Sequence, residues 1–452
     1  MNELSARRVV VVGLGVSGAA AAAALAQLGA RVRVTEGASS PAVEERAAAL
    51  RARGVDVETG GHDLDALDAD VAVLSPGIPP DAPVVRALAA RGVELMSEIE
   101  LAYRLADCDF LAVTGTNGKT TTTSLLAAML AEGGVKSVAA GNIGLPLVEA
   151  VERIPAGGAI ALEVSSFQLA TTDRFHARVA VLLNVAEDHI DWHGSFEDYF
   201  EAKARVVRHQ GRDDVFLPNL DDARAMEVAA RTAARVTPFS ARRAPGDGIG
   251  VSGTAVVWRG RQVAATGDVS LPGVGGLEDA VAAAGAALEY GVDPGAVRRA
   301  LRAFRPLRHR LELVAESGGV RYVDDSKATN PHATVVAVEG MRDVVLIAGG
   351  RSKGIDLTPL RAAVPPVVAV VALGEAAPEV ERVLGDLVPV ERVATMDDAV
   401  RAARARSVRG GSVLLSPGCA SLDMYESYAH RGDDFTRAVR ASITEDAGAK
   451  EG

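Results

Sequence analysis

A lysine and a hydroxyl placed directly behind a glycine-rich turn, in Thr114-Gly-Thr-Asn-Gly-Lys-Thr120, are the residues here best suited to holding a polyphosphate. Backbone N–H groups of such a turn cradle the phosphates, the Lys119 ammonium adds charge, and the Thr120 hydroxyl is a ligand suited to Mg²⁺. The spacing departs from a standard Walker A loop, because the expected first glycine falls at Val113 and the glycines stand instead as Gly115-x-x-Gly118. An apolar strand before the turn and a helix after it still predict an ATP site.

Gly13-x-Gly15-x-x-Gly18 is a second loop of this kind, with Glu36 about twenty residues further on, in the pattern of a dinucleotide fingerprint. Any nucleotide diphosphate suits such a loop, since the glycines let N–H groups approach it at the positive end of a helix. Ser75-Pro-Gly77, at another strand end, is a candidate to close the same crevice. Glu163 and Asp188-His189 each follow an apolar run and are candidate Mg²⁺ ligands beside the Gly-Lys-Thr loop. Three later loops, Asp324-Asp-Ser-Lys-Ala-Thr-Asn330, Gly349-Gly-Arg-Ser-Lys-Gly-Ile-Asp356 and Ser416-Pro-Gly-Cys-Ala-Ser-Leu-Asp423, together read as a binding rim for an anionic substrate.

These loops need strands to carry them. Strands are predicted at Val9 to Val12, Val32 to Thr35 and Val71 to Leu74, and a helical pattern at Val84 to Arg91, so a first parallel, helix-covered sheet ends near Glu98. A second alternation begins with strand Phe110 to Val113 and helix Thr121 to Glu132, and continues with strands Ala159 to Val164 and Val179 to Leu183. Short antiparallel strands are expected at its edge between Thr237 and Leu271, followed by helices Leu277 to Tyr290 and Pro294 to Ala303. Arg305-Pro306 marks the next boundary, since proline disfavours helix in the residue before it. Strands Val320 to Val323, Val344 to Ile347, Val367 to Leu373 and Ser412 to Leu415 build a third sheet, and Asp446 to Gly452 is expected to fray. The domains so read are 1–98, 99–306 and 307–452, in keeping with about 150 residues per domain over 452 residues.

Composition narrows the function classes. Forty-eight basic against 59 acidic residues give a net charge of −11, the wrong sign for nucleic-acid binding over the whole surface, so any phosphate site is local. Cys108 and Cys419 are far apart and form no C-x-x-C pair, so neither a disulfide framework nor a structural zinc is indicated, and a reducing cytoplasmic setting is expected. The uncharged stretch Val9 to Ala30 imitates a signal or spanning segment, but three glycines and an alanine run interrupt it, so no stable membrane insertion is expected. Of the basic residues 42 are Arg and only six are Lys, and four of those six (Lys119, Lys203, Lys327, Lys353) fall within motifs. Where a compact or modifiable amine is needed Arg is no substitute. Lys136 and Lys450 have no such account.

Over nearly its whole length the chain resembles the Mur ligases, the family that builds the peptide of bacterial cell-wall precursors. Gly115 to Thr120, Gly141-Asn-Ile-Gly144, Glu163-Val-Ser-Ser-Phe-Gln168 and Asp188-His189 are similar to that family's shared ATP and metal motifs. Asp325 to Asn330 and Leu415 to Asp423 resemble its D-glutamate-adding branch, whereas diamino-acid-adding members carry a different loop at Asp325 to Asn330. The resemblance implies an α/β protein of three domains: a Rossmann-like UDP-binding domain, a central P-loop-type ATPase domain with a mainly parallel sheet, and a C-terminal Rossmann-like domain.

It also implies a reaction. ATP phosphorylates the carboxylate of UDP-N-acetylmuramoyl-L-alanine, the amine of D-glutamate attacks the acyl phosphate, and the tetrahedral intermediate collapses to amide and phosphate. By this resemblance Lys119, Glu163, His189 and Lys203 are the catalytic set, and Thr120, Glu163, His189 and a carbamylated Lys203 hold two Mg²⁺ ions. ATP would be met by Gly115, Thr116, Asn117, Gly118, Lys119, Thr120 and Thr121, with Asn142, Asp279, Arg310, Asp325 and Lys327. The UDP substrate would be met by Gly13, Leu14, Gly15, Val16, Ser17, Glu36, Ser75 and Gly77, with Asn142, Ser165, Gln168 and His189. Thr329, Lys353, Ser421 and Tyr428 match positions around D-glutamate.

One departure stands out. After Leu271-Pro-Gly273 the family usually has His-Asn, two residues, then Asn, where this chain has Gly275-Gly276-Leu-Glu-Asp279. An ionised Asp279 only accepts hydrogen bonds, so the adenine contact is expected to be weaker or altered. Alternatives to the D-glutamate reading are a Mur-type ligase for another amino acid such as L-glutamate, a non-catalytic nucleotide-binding relative, and an NAD-dependent oxidoreductase resting on the first glycine cluster alone. A monomer acting on small molecules, with no nucleic-acid partner, is expected.

Overall fold

The computed structural model describes residues 3–449. Five parallel strands open it: β1 (Arg8–Val12), β2 (Arg31–Glu36), β3 (Asp56–Thr59), β4 (Val71–Leu74) and β5 (Glu94–Ser97), in the order β3-β2-β1-β4-β5. Val9 to Val12 and Val71 to Leu74 are buried throughout, as parallel strands covered on both faces require. Strand order reverses between β1 and β4, so the loop after β1 and Ser75 after β4 meet at the switch point where such sheets bind ligands.

The second sheet has β6 (Asp109–Thr114), β7 (Ser137–Gly141), β8 (Ala159–Glu163), β9 (Val179–Leu182), β10 (Val215–Pro218) and β11 (Arg235–Val236), all parallel in the order β11-β10-β9-β6-β8-β7. The turn after β6 therefore lies between the loops that follow β8 and β9. The strands expected at this sheet's edge form a sheet of their own, β12 (Phe239–Ser240), β13 (Ile249–Ser252), β14 (Ala255–Trp258) and β15 (Arg261–Ala265). Its first pair is parallel and the other two are antiparallel.

In the last sheet the order is β16-β17-β21-β18-β19-β20, from β16 (Glu312–Ser317), β17 (Val320–Asp324), β18 (Val344–Gly349), β19 (Val367–Leu373), β20 (Val390–Arg392) and β21 (Ser412–Leu415). Only β16 runs antiparallel. Because β17, β21 and β18 are neighbours, the three polar loops that follow them emerge side by side.

By contacts the chain divides into two compact units. The first comprises Met1–Val185, Glu197–Asp268 and Asp279–Arg302, and the second Ala186–Phe196, Val269–Glu278 and Ala303–Gly452. The division runs through the helix Gly273–Tyr290, which starts four residues before the expected Leu277 and so includes Gly275 and Gly276. The long alanine run outweighs the two glycines, and Gly276 packs against the backbone of Leu271. The fraying expected from Asp446 is not seen as far as Ala449, where the last helix (Tyr428–Ala449) ends, and Lys450 lies outside the described residues. Val9 to Ala30 forms β1 and the helix Val16–Gln27, and no described helix is long and apolar enough to cross a membrane.

The three glycines after β1 have different tasks. A methyl group on Gly18 would overlap the Gly13 carbonyl, whereas nothing lies within 4 Å of one on Gly15. Gly18→Ala is therefore expected to cost ~1–3 kcal/mol of stability in urea unfolding, while Gly15→Ala stays within ~0.5 kcal/mol of the parent. Equal effects of the two substitutions would contradict this assignment.

Candidate functional site

The loop after β1 is braced by side chains from its own sheet. Ser75 Oγ donates to the Gly13 carbonyl at 3.3 Å, and Arg46 Nε donates to the Leu14 carbonyl at 2.7 Å. Glu36, expected at the UDP substrate, accepts from Leu14 N at 2.6 Å and from Ala38 N at 2.8 Å, so its carboxylate holds the loop itself. Gly15, Val16 and Gly77 are exposed and Ser17 is half-buried, leaving this face of the crevice open.

The turn after β6 is tied down from β9. Asn184, the polar residue just past β9, accepts from Thr116 N through its carbonyl at 2.9 Å and from Asn117 N through Oδ1 at 2.8 Å. Lys119 Nζ donates to the carbonyls of Gly115 and Thr116, both at 2.8 Å. Lys203, on the helix Phe196–Ala204 and fully buried, sends its Nζ to the same Gly115 carbonyl at 2.8 Å and over the Tyr199 ring, 4.5 Å from its centre. Tyr199 OH lies 2.9 Å from Thr116 Oγ1. Gly118 has φ +87°, a conformation that favours glycine, and a methyl group on it would overlap the Asp279 carboxylate. Asp279 thus lies against the phosphate turn. Thr121 is buried with its hydroxyl unpartnered, which turns it into the core, away from the open face of the turn.

Glu163 ends β8. Its Oε1 accepts from Asn142 Nδ2 at 2.9 Å, its carbonyl accepts from Asn142 N at 2.9 Å, and its Oε2 is buried without a partner. Ser165 and Gln168, expected at the substrate, form a reciprocal capping box on the helix Ser166–Ala170: Gln168 Oε1 accepts from Ser165 N at 2.9 Å and Ser165 Oγ at 3.0 Å. Gln168 Nε2 then donates to Glu98 Oε1 at 2.8 Å, joining the end of β5 to the loop after β8.

The second unit carries the remaining residues. Asp188 accepts from Asn330 Nδ2 at 3.2 Å and lies 3.7 Å from Lys353 Nζ, and His189, at φ 56°, donates its N–H to Asp188 Oδ1 at 2.9 Å. Asp188 is therefore engaged with a lysine and an amide of the third sheet's loops. Asp325 accepts from Ser416 Oγ at 2.8 Å and from Leu311 N at 3.3 Å, and burial pushes its carboxyl up to about 7 against the pull of Ser416 and the Arg310 charge. Lys327 Nζ stands 5.4 Å from the centre of the Tyr428 ring. Thr329 follows on the same loop and Ser421 is buried on the loop after β21.

His309, Glu312 and Asp324 bring three potential metal-ligand atoms within 4.8 Å of one another. His309 Nδ1 is 2.7 Å from Asp324 Oδ2, and Glu312 accepts from His309 N at 2.9 Å. The helix Tyr428–Ala449 packs on this group so closely that a methyl on Gly432 would overlap the His309 ring. The cluster is a clamp within the fold, and it holds the turn bearing Arg310.

Sequence reasoning passed over Asn184, Tyr199, Glu98 and His309. Asn184 carried the same signal as Glu163, a polar residue at the carboxyl end of an apolar strand. The other three are recognised only through partners far away in the chain.

Three family models cover most of the sequence: the Mur ligase MurD-like N-terminal domain matches residues 7–97, the Mur ligase middle domain residues 113–287, and the Mur ligase glutamate ligase domain residues 309–419. The chain belongs to the Mur ligase family. The UDP-N-acetylmuramoylalanine--D-glutamate ligase of Frankia casuarinae is 46% identical over 444 residues, covering 96% of this chain and 94% of the relative. The enzyme of that name from Acidobacterium capsulatum is 41% identical over 448 residues, covering 97% of each. Among solved structures, the fold is similar to UDP-N-acetylmuramate-alanine ligase MurC from Thermotoga maritima, with TM-score 0.61, 18% identity and 96% and 100% coverage of the two chains. MurF from Acinetobacter baumannii gives TM-score 0.59 at 17% identity, with 90% of each chain covered.

As a Mur ligase the chain uses ATP and Mg²⁺, and its residues fit both. Among the described residues two buried carboxylate oxygens have no donor, Glu98 Oε2 and Glu163 Oε2, and the second, at the end of β8 next to the strand that carries the glycine turn, suits a cation. The Lys203 ammonium, donating to a carbonyl, is not itself a metal ligand.

Burial also pushes the Glu98 carboxyl up to about 7, opposed by the Gln168 hydrogen bond. The folded chain then holds this proton more tightly than the unfolded one, so the associated stability is complete below the ordinary value of 4.5 and is lost as pH rises through about 7. Relative to wild type, Glu98→Gln is expected to gain up to ~3 kcal/mol between pH 5 and pH 8, read by urea unfolding at both. A stability difference independent of pH would contradict the shift.

Proposed function

We propose that this chain adds D-glutamate to UDP-N-acetylmuramoyl-L-alanine, forming ADP and phosphate, in the synthesis of cell-wall precursors. The observation that carries this reading is identity of 46% and 41%, over nearly the full length, to relatives that bear the name of that ligase. The geometry supports it with a phosphate turn, a cation-ready carboxylate at Glu163, and a lysine-bearing rim on the last sheet.

In the reaction so read, a carboxylate oxygen of the UDP substrate takes the γ-phosphoryl group of ATP and ADP leaves. The amine of D-glutamate then forms a bond to the acyl carbon, loses a proton, and phosphate departs. Charge accumulates on the transferring group, so position and electrostatics do the catalytic work. Lys119 would leave the Gly115 and Thr116 carbonyls to meet the phosphates. Thr120 and Glu163 would hold one Mg²⁺, and His189 with Lys203 a second, each ion neutralising phosphate oxygens as charge develops. Lys203 serves only after its amine has combined with CO₂, releasing a proton and leaving a carbamate whose oxygens suit Mg²⁺.

Asn142, Arg310, Asp325 and Lys327 are assigned to the nucleotide, the loops after β1 and β4 to UDP, and Thr329, Lys353, Ser421 and Tyr428 to D-glutamate. A cytoplasmic monomer without nucleic-acid partners completes the proposal.

ADP release with the muramoyl-alanine nucleotide and a panel of amino acids tests the reading: D-glutamate should be the preferred acceptor. Turnover with L- but not D-glutamate would replace it with the L-glutamate-adding alternative, and no turnover with any acceptor would favour a non-catalytic relative. For the lysines, Lys119→Arg and Lys203→Arg are expected to lose most activity and the exposed Lys136→Arg none. Short carboxylic acids should partly restore Lys203→Ala by supplying the missing oxygens, and a fully active Lys203→Arg enzyme would refute the carbamate.

A further inference from the structure

Arg431 is the largest fully buried side chain among the described residues. It lies in the first turn of the helix Tyr428–Ala449, directly beneath the three polar loops of the last sheet. Its Nε donates to Ser326 Oγ at 3.0 Å, its Nη2 to the Ser326 carbonyl at 2.8 Å, and its Nη1 to the Cys419 carbonyl at 3.1 Å. Gly350 completes the ring, since a methyl group there would come within 3.1 Å of Nη1 and would also overlap the Ala420 carbonyl. One guanidinium thus touches the loop after β17, the loop after β18 and the loop after β21.

Every one of these acceptors is neutral. Among the described residues Arg431 makes no ion pair, and the Asp423 and Asp324 carboxylates act on it only from a distance. Burial lowers its pKa to about 10, which leaves it charged at neutral pH. The first turn of a helix is also the positive end of its dipole, where a cation is disfavoured. Lys353 on the same rim is different, because Asp188 stands 3.7 Å from its Nζ. A buried charge whose hydrogen-bond partners are all neutral, and which Asp423 and Asp324 offset only from a distance, is costly to keep. An anion arriving above the loops would offset it.

We propose that Arg431 is a specificity-determining residue for the amino-acid substrate: its buried charge is the electrostatic counterpart of the substrate's carboxylates, and its hydrogen bonds position the loops that receive them. The inference rests on the D-glutamate reading above. Arg431 acts through Ser326, Cys419 and Gly350 rather than by touching the reacting atoms, so it is a positioning residue.

The test compares Arg431→Gln, which is neutral but can still donate hydrogen bonds, with Arg431→Lys, which keeps the charge. In steady-state assays of the full chain the KM for D-glutamate is expected to rise about tenfold or more in Arg431→Gln and to stay within about threefold in Arg431→Lys, as loss of a charge-assisted interaction implies. KM for the UDP substrate should not move in either, and any rise in KM for ATP, carried through Asp325 and Lys327 on either side of Ser326, should stay well below the rise for D-glutamate. The wild-type preference for D-glutamate over D-glutamine, which lacks the side-chain carboxylate, should shrink in Arg431→Gln alone. An unchanged KM for D-glutamate in Arg431→Gln, or equal impairment of both variants, would overturn the proposal, the latter by showing a loop staple without an electrostatic role. Should Arg431→Gln not fold, Arg431→Lys decides alone: a rise beyond about tenfold overturns the proposal and a rise within about threefold supports it. Wild-type enzyme that turns over other acceptors but not D-glutamate would instead refute the reading on which the inference rests.

Discussion

Two ammonium groups meet at a single carbonyl oxygen, that of Gly115, and the first unit is arranged around that meeting. Lys119 reaches it from within the turn and Lys203 from the helix Phe196–Ala204, each at 2.8 Å. Like charges so close repel, the more so because Lys203 is buried, so the arrangement favours any change that removes one of them. Phosphate oxygens would draw Lys119 away, and conversion of Lys203 to an anion would replace repulsion with attraction. The same constraint explains why the turn is pinned by Asn184 and backed by Tyr199, because a carbonyl shared by two cations must not drift.

The two units answer the problem of binding anions in an acidic protein in different ways. With a net charge of −11, long-range attraction cannot bring polyphosphates or dicarboxylates to the surface. The first unit places its lysines and backbone N–H groups at the carboxyl ends of β6 and β1. The second unit uses one guanidinium buried beneath three loops, together with Lys353 and Asp188 on the rim. In both units the cations stand where three neighbouring parallel strands end. Sheet order, more than composition, creates the site.

Much of this was legible in the sequence because it is written locally. Apolar runs such as Val71–Leu74, Val367–Leu373 and Ser412–Leu415 coincide with strands β4, β19 and β21, since strands buried on both faces leave an unbroken hydrophobic signature. Strands β3, β5, β7, β10, β11, β16 and β20 were not anticipated: a half-solvated edge strand such as Glu312–Ser317 carries charges like a loop, and β10, although buried, is too short an apolar run to stand out. The polar loops were found by residue type, but what each residue does there was less legible. Glu36 looks like a ligand residue and its carboxylate is committed to the loop backbone, and Ser165 and Gln168 look like substrate contacts and are bonded to each other. Glu98, His309 and Arg431 gave no signal, because their partners lie 70, 15 and 105 residues away and no periodicity records such a pairing.

Arg431 and Gly432 stand next to each other as opposite extremes of side-chain size. One fills the space beneath three loops and the other leaves room for the His309 ring. Neighbouring residues on a helix point about 100° apart, so exchanging them would need a rotation of that size or a slip of about 1.5 Å along the axis. Either movement would drive a guanidinium into the His309–Asp324 pair and leave a void beneath the rim. The dipeptide is thus a keyway for the final helix, fixing its azimuth and its axial position at once. Insertion or loss of a single residue between Gly418 and Arg431 would have to be absorbed in the connecting loop, because the helix itself has no neighbouring setting into which it can click.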